Sequence, residues 1–187
     1  MLNPKIFVYT GPMYAGKSTG LINAFSEAKK ADRKVVAIKP NIDNRYTTNT
    51  ITTHDRKEIP AEYVRVLSTF LNQEEWKEID FGADVFLVDE AQFFKKNIVE
   101  FVCRLRNVGK EVHIAGLDMD FRGNSFGYMP DLMTLANKVI KFQAQCAECK
   151  LINATMTYRK AEINDDGQIL VGGNEVYESR CFNCWKP

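Results

Sequence analysis

Apolar runs long enough to cross a bilayer are missing from this 187-residue chain, and its N-terminus lacks a basic-then-apolar secretory pattern. Both absences lead to the expectation of a cytoplasmic protein with no membrane partner. An excess of one charge is missing too. Lys and Arg number 25 against 24 Asp and Glu, a net charge of +1. So close a balance argues against a broad polyanion-binding surface and leaves room only for a local basic groove. Internal repeats and low-complexity linkers are absent. The remaining composition, 45% hydrophobic, is ordinary for a folded protein. The length suits one sizeable core, or a core with a small appendage.

Against that background one octet stands out, Gly11-Pro12-Met13-Tyr14-Ala15-Gly16-Lys17-Ser18. It fits G-x-x-x-x-G-K-[ST], the phosphate-loop pattern. The flanks agree with it. The apolar run Ile6-Phe7-Val8-Tyr9 leads in as a strand, and a helical pattern leads out. A helix start offers unpaired N–H groups and partial positive charge to phosphate. Gly11 and Gly16 would let the backbone close around phosphate oxygens. Lys17 would neutralise the β- and γ-phosphates, and Ser18 would offer its hydroxyl to Mg²⁺. A fortuitous glycine-rich turn would not require both flanks.

A second motif is Val85-Phe86-Leu87-Val88-Asp89-Glu90-Ala91-Gln92, an apolar strand ending in two acids. In a phosphate-loop fold the acid at such a strand end reaches Mg²⁺, a role Asp89 fits. Glu90 would then remove a proton from the attacking group. An ATPase would aim this pair at water, and an acceptor kinase at a substrate hydroxyl. A solvated acidic turn is the bland reading.

Five cysteines are unevenly placed. Cys146 and Cys149 form one C-x-x-C, and Cys181 and Cys184 form another. In a reducing compartment, paired short spacings favour structural Zn²⁺ over disulfides. Four thiolates close a tetrahedral site and leave no open position for catalysis. A redox dithiol competes, although redox motifs need no matching second pair. Cys103 sits within Ile98–Leu105, an amphipathic pattern, and reads as a packing residue.

The chain divides near residue 145. Before it, strand signals (5–10, 34–39, 84–88, 111–115 and 138–143) alternate with helix signals (18–31, 69–77 and 95–108). Such alternation predicts an α/β fold, a mostly parallel sheet flanked by helices. The stretch 40–60, rich in Thr and Asn, reads as a loop. Residues 146–187 form a candidate zinc domain, with a hairpin signalled by Asp166-Gly167.

A third group, Asp43-Asn44-Arg45-Tyr46 with Thr53-His54-Asp55-Arg56, consists of ordinary loop charges when taken alone. An arginine here could lie over phosphates, held by Asp43. Taken in order with Gly11–Ser18, Asp89-Glu90-Ala91-Gln92-Phe93-Phe94, Leu117-Asp118-x-x-Phe121, Phe126-Gly127, both cysteine pairs and Gly172-Gly173-x-x-x-Tyr177, these residues resemble the cytosolic, viral and bacterial zinc-containing (type II) thymidine kinase family. The resemblance covers nearly the whole chain.

It implies ATP-dependent phosphorylation of the 5′-hydroxyl of thymidine or deoxyuridine, in nucleotide salvage. Glu90 would be the base. Lys17 and Arg45 would stabilise phosphoryl charge, with Asp43 orienting Arg45. ATP and Mg²⁺ would be bound by Gly11 through Ser18 with Thr19, Asp89 and Gln92. The hairpin would be the family's lasso, with Gln168, Ile169, Leu170, Val171 and Gly172 reading the thymine edge through backbone groups. Met13, Leu117, Phe121, Thr157 and Tyr177 would line the pocket. The segment after Cys149 is one residue longer than the family pattern, so Thr155 and Met156 compete with Thr157. The lasso, 163–177, would be mobile without nucleoside and ordered with it. The resemblance also implies a homotetramer, feedback by thymidine triphosphate, structural Zn²⁺ and no nucleic-acid partner. An end at Pro187 leads to the expectation that the C-terminal extension of animal members is lacking. Two other classes fit the motifs without the resemblance: a nucleic-acid-coupled ATPase, and a non-catalytic nucleotide switch.

Overall fold

Alternation within a few short apolar segments builds the central layer. The structure, a computed structural model, describes residues 5–42, 50–52, 57–160, 167, 169–170 and 172–186. Strand β1 (Lys5–Thr10) leads to helix α1 (Lys17–Lys30) and then to β2 (Val35–Pro40). A short antiparallel pair follows, β3 (Ile51–Thr52) and β4 (Glu58–Ile59), and then β5 (Val64–Leu67). Next come α2 (Gln73–Trp76), β6 (Val85–Val88), α3 (Asn97–Asn107) and β7 (Glu111–Ala115). Helix α4 (Met129–Leu135) and β8 (Lys138–Lys141) complete the large sheet. Its order is β5-β2-β6-β7-β1-β8, and every neighbouring pair is parallel.

Each strand sends alternate residues to opposite faces. Ile6, Val8, Val36, Ile38, Phe86, Val88, Val112 and Ile114 meet α2, α3 and α4 through Trp76, Phe101, Leu105, Met129 and Leu132. Val35, Ala37, Val85, Leu87 and Ala115 meet Leu21, Ala24 and Ala28 of α1, together with Ile51 and Ile59. Apart from the exposed edge strand β8, the sheet is therefore buried on both faces, as a parallel sheet requires. Because all six strands run the same way, the ends of β1, β6 and β7 share one edge, and the phosphate loop and the acidic pair emerge there together.

Four short strands follow: β9 (Ala144–Gln145), β10 (Ile152–Ala154), β11 (Met156–Arg159) and β12 (Tyr177–Arg180). β9 pairs with β10 and β11 with β12, both antiparallel. The Asp166 end of the expected turn lies outside the described residues.

The expected strands of the large sheet appear within a residue or two. The helix expected over 69–77 shrinks to Gln73–Trp76. Leu71 adopts a left-handed φ of 45°, which stops a helix, and Asn72 then caps the shorter one by accepting from the Glu74 and Glu75 N–H groups. Glu75 completes a capping box and also accepts from the Ser68 N–H and hydroxyl. Strand β5 and helix α4 were not expected. The stretch expected to be loop, 40–60, contains the β3–β4 pair. Asp43, Arg45 and 53–56 lie outside the described residues.

Candidate active site

The phosphate loop spans the gap between β1 and α1. Gly11 has φ 131°, and a Cβ there would sit 2.4 Å from the Phe142 carbonyl oxygen. Phe142 in turn donates its N–H to the Thr10 carbonyl at 2.8 Å. The loop thus leaves β1 pressed against the end of β8, and only glycine fits. Ser18 and Thr19 lie in the first turn of α1. The Lys17 ammonium donates to the Pro12 carbonyl at 2.6 Å. Burial lowers its pKa, and the charges of Glu90, Asp89 and Asp118 oppose that shift. The cation of the loop and the acids of β6 therefore share one field.

Asp89 and Glu90 follow β6 directly. Burial, and then the adjacent Glu90 charge, push Asp89 up to about 7, while Lys39 and Lys17 pull it down. A buried carboxyl next to a second acid gains most from a nearby cation. Glu90 sits in a left-handed conformation, φ 51° and ψ 42°, which is rare for a side chain of this size. Two contacts hold this turn. Gln92 donates its side-chain amide to Glu90 Oε2 at 2.5 Å and accepts from the Leu117 N–H at 3.0 Å. Gly127, at φ 54°, packs so closely on Gln92 that a Cβ would lie 2.2 Å from the Gln92 carbonyl oxygen. Beneath the loop, Lys141 of β8 reaches Asp118 beyond β7 at 2.6 Å, bridging across the end of β1.

The β11–β12 hairpin abuts the same loop. The Met13 N–H donates to Thr157 Oγ1 at 3.2 Å, and Ser179 Oγ donates to the Met13 carbonyl at 2.5 Å. Thr157 is 4% exposed. Of the three candidates in this segment, Thr157 is the one bonded to the phosphate loop. Arg159, 7% exposed, donates to the Gly167 carbonyl at 2.8 Å and to the Tyr177 hydroxyl at 2.9 Å. Its guanidinium lies 3.8 Å from the centroid of the Phe121 ring. The Tyr177 hydroxyl donates to the Leu170 carbonyl at 2.9 Å. Met13, Phe121, Thr157, Leu170 and Tyr177 are thus gathered around one hairpin. Leu117 joins the acid side through Gln92, Ile169 is exposed, and Gly172 packs against Val176. Gln168 and Val171 lie outside the described residues, as do Asp43 and Arg45.

Arg159, Ser179 and Lys141 escaped the sequence reading. For Arg159 and Ser179 the signal was the alternation of Met156–Arg159 and Tyr177–Arg180, which places Thr157, Arg159, Tyr177 and Ser179 on one face, whereas Lys141 ends a strand and had none.

The sulfurs of Cys146, Cys149, Cys181 and Cys184 lie within 4.8 Å of one another, and Cys149 and Cys181 are 3.9 Å apart. Zn–S bonds of about 2.3 Å in a tetrahedron require sulfurs roughly 3.8 Å apart, so this donor set fits Zn²⁺ with slight contraction. Burial opposes ionisation of Cys146, yet the backbone N–H groups of Cys181, Cys149 and Glu148 outweigh it and bring the thiol down to about 6. Cys184 is pushed up to about 12, first by its hydrogen bond with Cys181. Four neighbouring thiolates need a cation to coexist. Cys103 stands apart on α3.

Among the described residues no helix is long and apolar enough to cross a membrane. Two solved structures overlap part of the fold. A DNA replication initiation factor matches with a TM-score of 0.44 at 18% identity, over 76% of this chain and 40% of that one. AMPPCP-bound DnaA from Aquifex aeolicus matches with a TM-score of 0.45 at 15% identity, over 76% and 41%. This chain therefore spans about two fifths of those proteins, and at such scores the overlap carries no argument. A curated relative does. The thymidine kinase of Pseudothermotoga lettingae is 36% identical over 181 residues, covering 97% of this chain and 94% of that protein. Residues 4–185 also match the family described as thymidine kinase. With the match running from the strand before the phosphate loop to the last cysteine, the chain belongs to the thymidine kinase family.

Proposed function

We propose that this protein transfers the γ-phosphoryl group of ATP to the 5′-hydroxyl of thymidine, and of deoxyuridine, as a salvage enzyme. The observation that carries the reading is the convergence at one sheet edge. Lys17 feels the charges of Glu90 and Asp89, while Met13 of the same loop rests on the hairpin that also carries Thr157 and Tyr177. The phosphate loop and the hairpin that carries the proposed base-binding residues therefore meet at Met13.

Each residue has a distinct task. Backbone N–H groups from Gly11 to Ser18 cradle the phosphates. Lys17 turns from the Pro12 carbonyl to the β- and γ-phosphates. Ser18 and Asp89 would hold Mg²⁺ through hard oxygen ligands, and the ion would supply positive charge against the phosphates. Gln92 holds Glu90 in the orientation that accepts the 5′-hydroxyl proton as its oxygen forms the new bond to phosphorus and the ADP oxygen leaves. Arg45, oriented by Asp43, adds positive charge to the transferring group. Leu117, Phe121, Thr157 and Tyr177 wall the base, and backbone groups of 168–172 read its edge. Apolar walls limit ring size, and fixed backbone partners reject the wrong edge.

The proposed organisation is a phosphate-loop domain, 1–145, and a zinc-binding lasso domain, 146–187. Zn²⁺ held by the four cysteines fixes the base of the hairpin and takes no part in transfer. The reading extends to a cytoplasmic homotetramer, inhibited by thymidine triphosphate and independent of nucleic acid. Transfer of label from [γ-³²P]ATP to a panel of nucleosides, with and without DNA, tests it. Label should appear in thymidine monophosphate and be unaffected by DNA. Hydrolysis stimulated by DNA, with no nucleoside labelled, would refute the proposal.

A further inference from the structure

The β11–β12 hairpin presents two rungs on one face. Thr157 opposes Ser179, and Arg159 opposes Tyr177, in antiparallel register. All four side chains are nearly sealed from solvent, at 4%, 3%, 7% and 7% exposure. The Thr157–Ser179 rung grips one residue of the phosphate loop, Met13, through the two peptides that flank it. Thr157 accepts from the Met13 N–H, and Ser179 donates to the Met13 carbonyl. The Arg159–Tyr177 rung grips the other side of the site, bonding the Gly167 and Leu170 carbonyls and covering Phe121. Two residues along a strand separate the rungs by roughly 7 Å.

This hairpin is anchored at its far end. The N–H of Ala147, which lies within the first cysteine pair, donates to the Ser179 carbonyl at 2.8 Å, and the Trp185 indole N–H donates to the Thr157 carbonyl at 3.2 Å. On the opposite face, Arg180 lies 3.6 Å from the centroid of the Tyr158 ring and bonds Glu178 at 2.6 Å. A short two-stranded ribbon alone would be soft. Fixed at the cysteine cluster and braced on both faces, it transmits displacement.

We propose that Ser179 is a positioning residue of the phosphate loop, and that through the paired grip of Ser179 and Thr157 on Met13 the hairpin couples nucleoside binding to ATP affinity. The coupling rests on the nucleoside reading above. The loop runs from Gly11 to Gly16, and of its backbone groups the two at Met13 are claimed by hydroxyls from outside the loop. The Met13 N–H therefore points at the hairpin, and the Met13–Tyr14 peptide, held through its carbonyl by Ser179, sets where the following N–H groups aim. Nucleoside packed against Tyr177 and Phe121 restrains the Arg159 rung, and the next rung restrains Met13. Linkage makes the effect reciprocal, so ATP tightens nucleoside binding by the same factor.

The test is Ser179→Ala in the full-length, zinc-loaded protein, with the non-hydrolysable ATP analogue AMP-PNP titrated calorimetrically with and without thymidine. The wild type should bind the analogue several-fold more tightly in the presence of thymidine. Ser179→Ala should weaken analogue binding by roughly tenfold, the scale of one buried hydrogen bond. It should also bring the thymidine enhancement close to one. Zinc content and thymidine affinity measured alone should stay within twofold of wild type. In turnover, KM for ATP should rise while KM for thymidine measured at low ATP does not. Ser179→Thr, which keeps the hydroxyl, should restore analogue binding. Should Ser179→Ala fail to fold, Thr157→Val removes the other half of the grip and is read by the analogue titration without thymidine, because Thr157 also walls the proposed base site.

Unchanged analogue affinity in Ser179→Ala would overturn the positioning role. A wild type whose analogue affinity ignores thymidine would overturn the coupling. Parallel loss of zinc, thymidine and analogue binding would reduce Ser179 to a structural residue and also overturn the proposal. Failure of the nucleoside reading looks different, because thymidine would then produce no heat with the wild type alone, while the effect of Ser179→Ala on the analogue would still be measured.

Discussion

Replacing Gln92 with methionine isolates the support of the proposed base from the base itself. Methionine nearly matches glutamine in length and volume, so the buried site stays filled, but both side-chain hydrogen bonds vanish. Two costs follow, and they appear in different measurements. The Leu117 N–H loses its acceptor in a buried position, which costs about 1–3 kcal/mol of stability. For a chain of this size that corresponds to a fall in Tm of roughly 2–12 °C. Glu90 loses a charge-assisted donor at 2.5 Å while its backbone remains in a left-handed conformation. Such a bond is worth about 1.5–3 kcal/mol. If most of that held the carboxylate in line with the 5′-hydroxyl, kcat falls about ten- to a hundred-fold. KM for either substrate should change less than kcat, because Gln92 reaches the pocket only through the backbone N–H of Leu117 and not through a side chain that walls it. Steady-state kinetics at saturating ATP and thymidine, paired with a thermal melt, separates the two. A lowered Tm with unchanged kcat would refute the claim that Gln92 orients Glu90, leaving it as a tie between β6 and β7.

Other consequences follow from the same geometry. Lys17→Ala should abolish phosphoryl transfer and leave the circular dichroism spectrum unchanged; full activity in a folded variant would remove the ATP site from this loop. Glu90→Gln should lower kcat by on the order of a hundred-fold or more, a usual general-base contribution, with AMP-PNP and thymidine affinities retained in calorimetry. Purified protein should carry one Zn²⁺ per chain by elemental analysis, and Cys103→Ser should not alter that ratio. Zinc-free protein with a disulfide within each cysteine pair would contradict the assigned ligands.

Much of the large sheet was legible because its strands are continuous apolar runs between breakers. Val85–Val88, a short apolar run rich in β-branched residues between breakers, fits a doubly buried strand, whose two faces both need apolar residues. Helix α3 was legible because Ile98, Phe101, Val102 and Leu105 recur at helical spacing. Strand β5 was not. It is an edge strand of four residues in which Arg65 breaks the apolar run, and it is paired with β2. The helix expected over 69–77 failed on backbone geometry. Leu71 at φ 45° turns the chain before Asn72 can cap, and no propensity of Leu announces that conformation. The short β3–β4 pair owes its order to Ile51 and Ile59, both buried against the α1 side of the sheet, a tertiary effect inside a stretch of polar composition.

At the site the division has a different cause. Residues whose chemistry is local to the sequence, such as Lys17 behind two glycines or four cysteines in two tight turns, advertise themselves by spacing. Residues that act through a partner distant in sequence do not. Ser179 meets Met13 across 166 positions, and Gln92 meets Leu117 across 25. Arg159 is the clearest case. In sequence it is one cation in a polar stretch, which would ordinarily be solvated. In the fold it is buried, because Phe121 offers its ring face while Tyr177 and Gly167 offer oxygens. Removing it would leave the Gly167 carbonyl without that donor and uncover the Phe121 ring. A guanidinium suits this place where an ammonium does not, since its planar fork reaches two acceptors while its face rests on the ring. The hairpin's burial pattern follows from that arrangement. Inward Thr157, Arg159, Tyr177 and Ser179 are polar because each meets a backbone or hydroxyl oxygen, or in the case of Thr157 a backbone N–H, supplied by another part of the chain. A polar face that is buried marks a surface built to hold other segments in place, and here those segments include the phosphate loop.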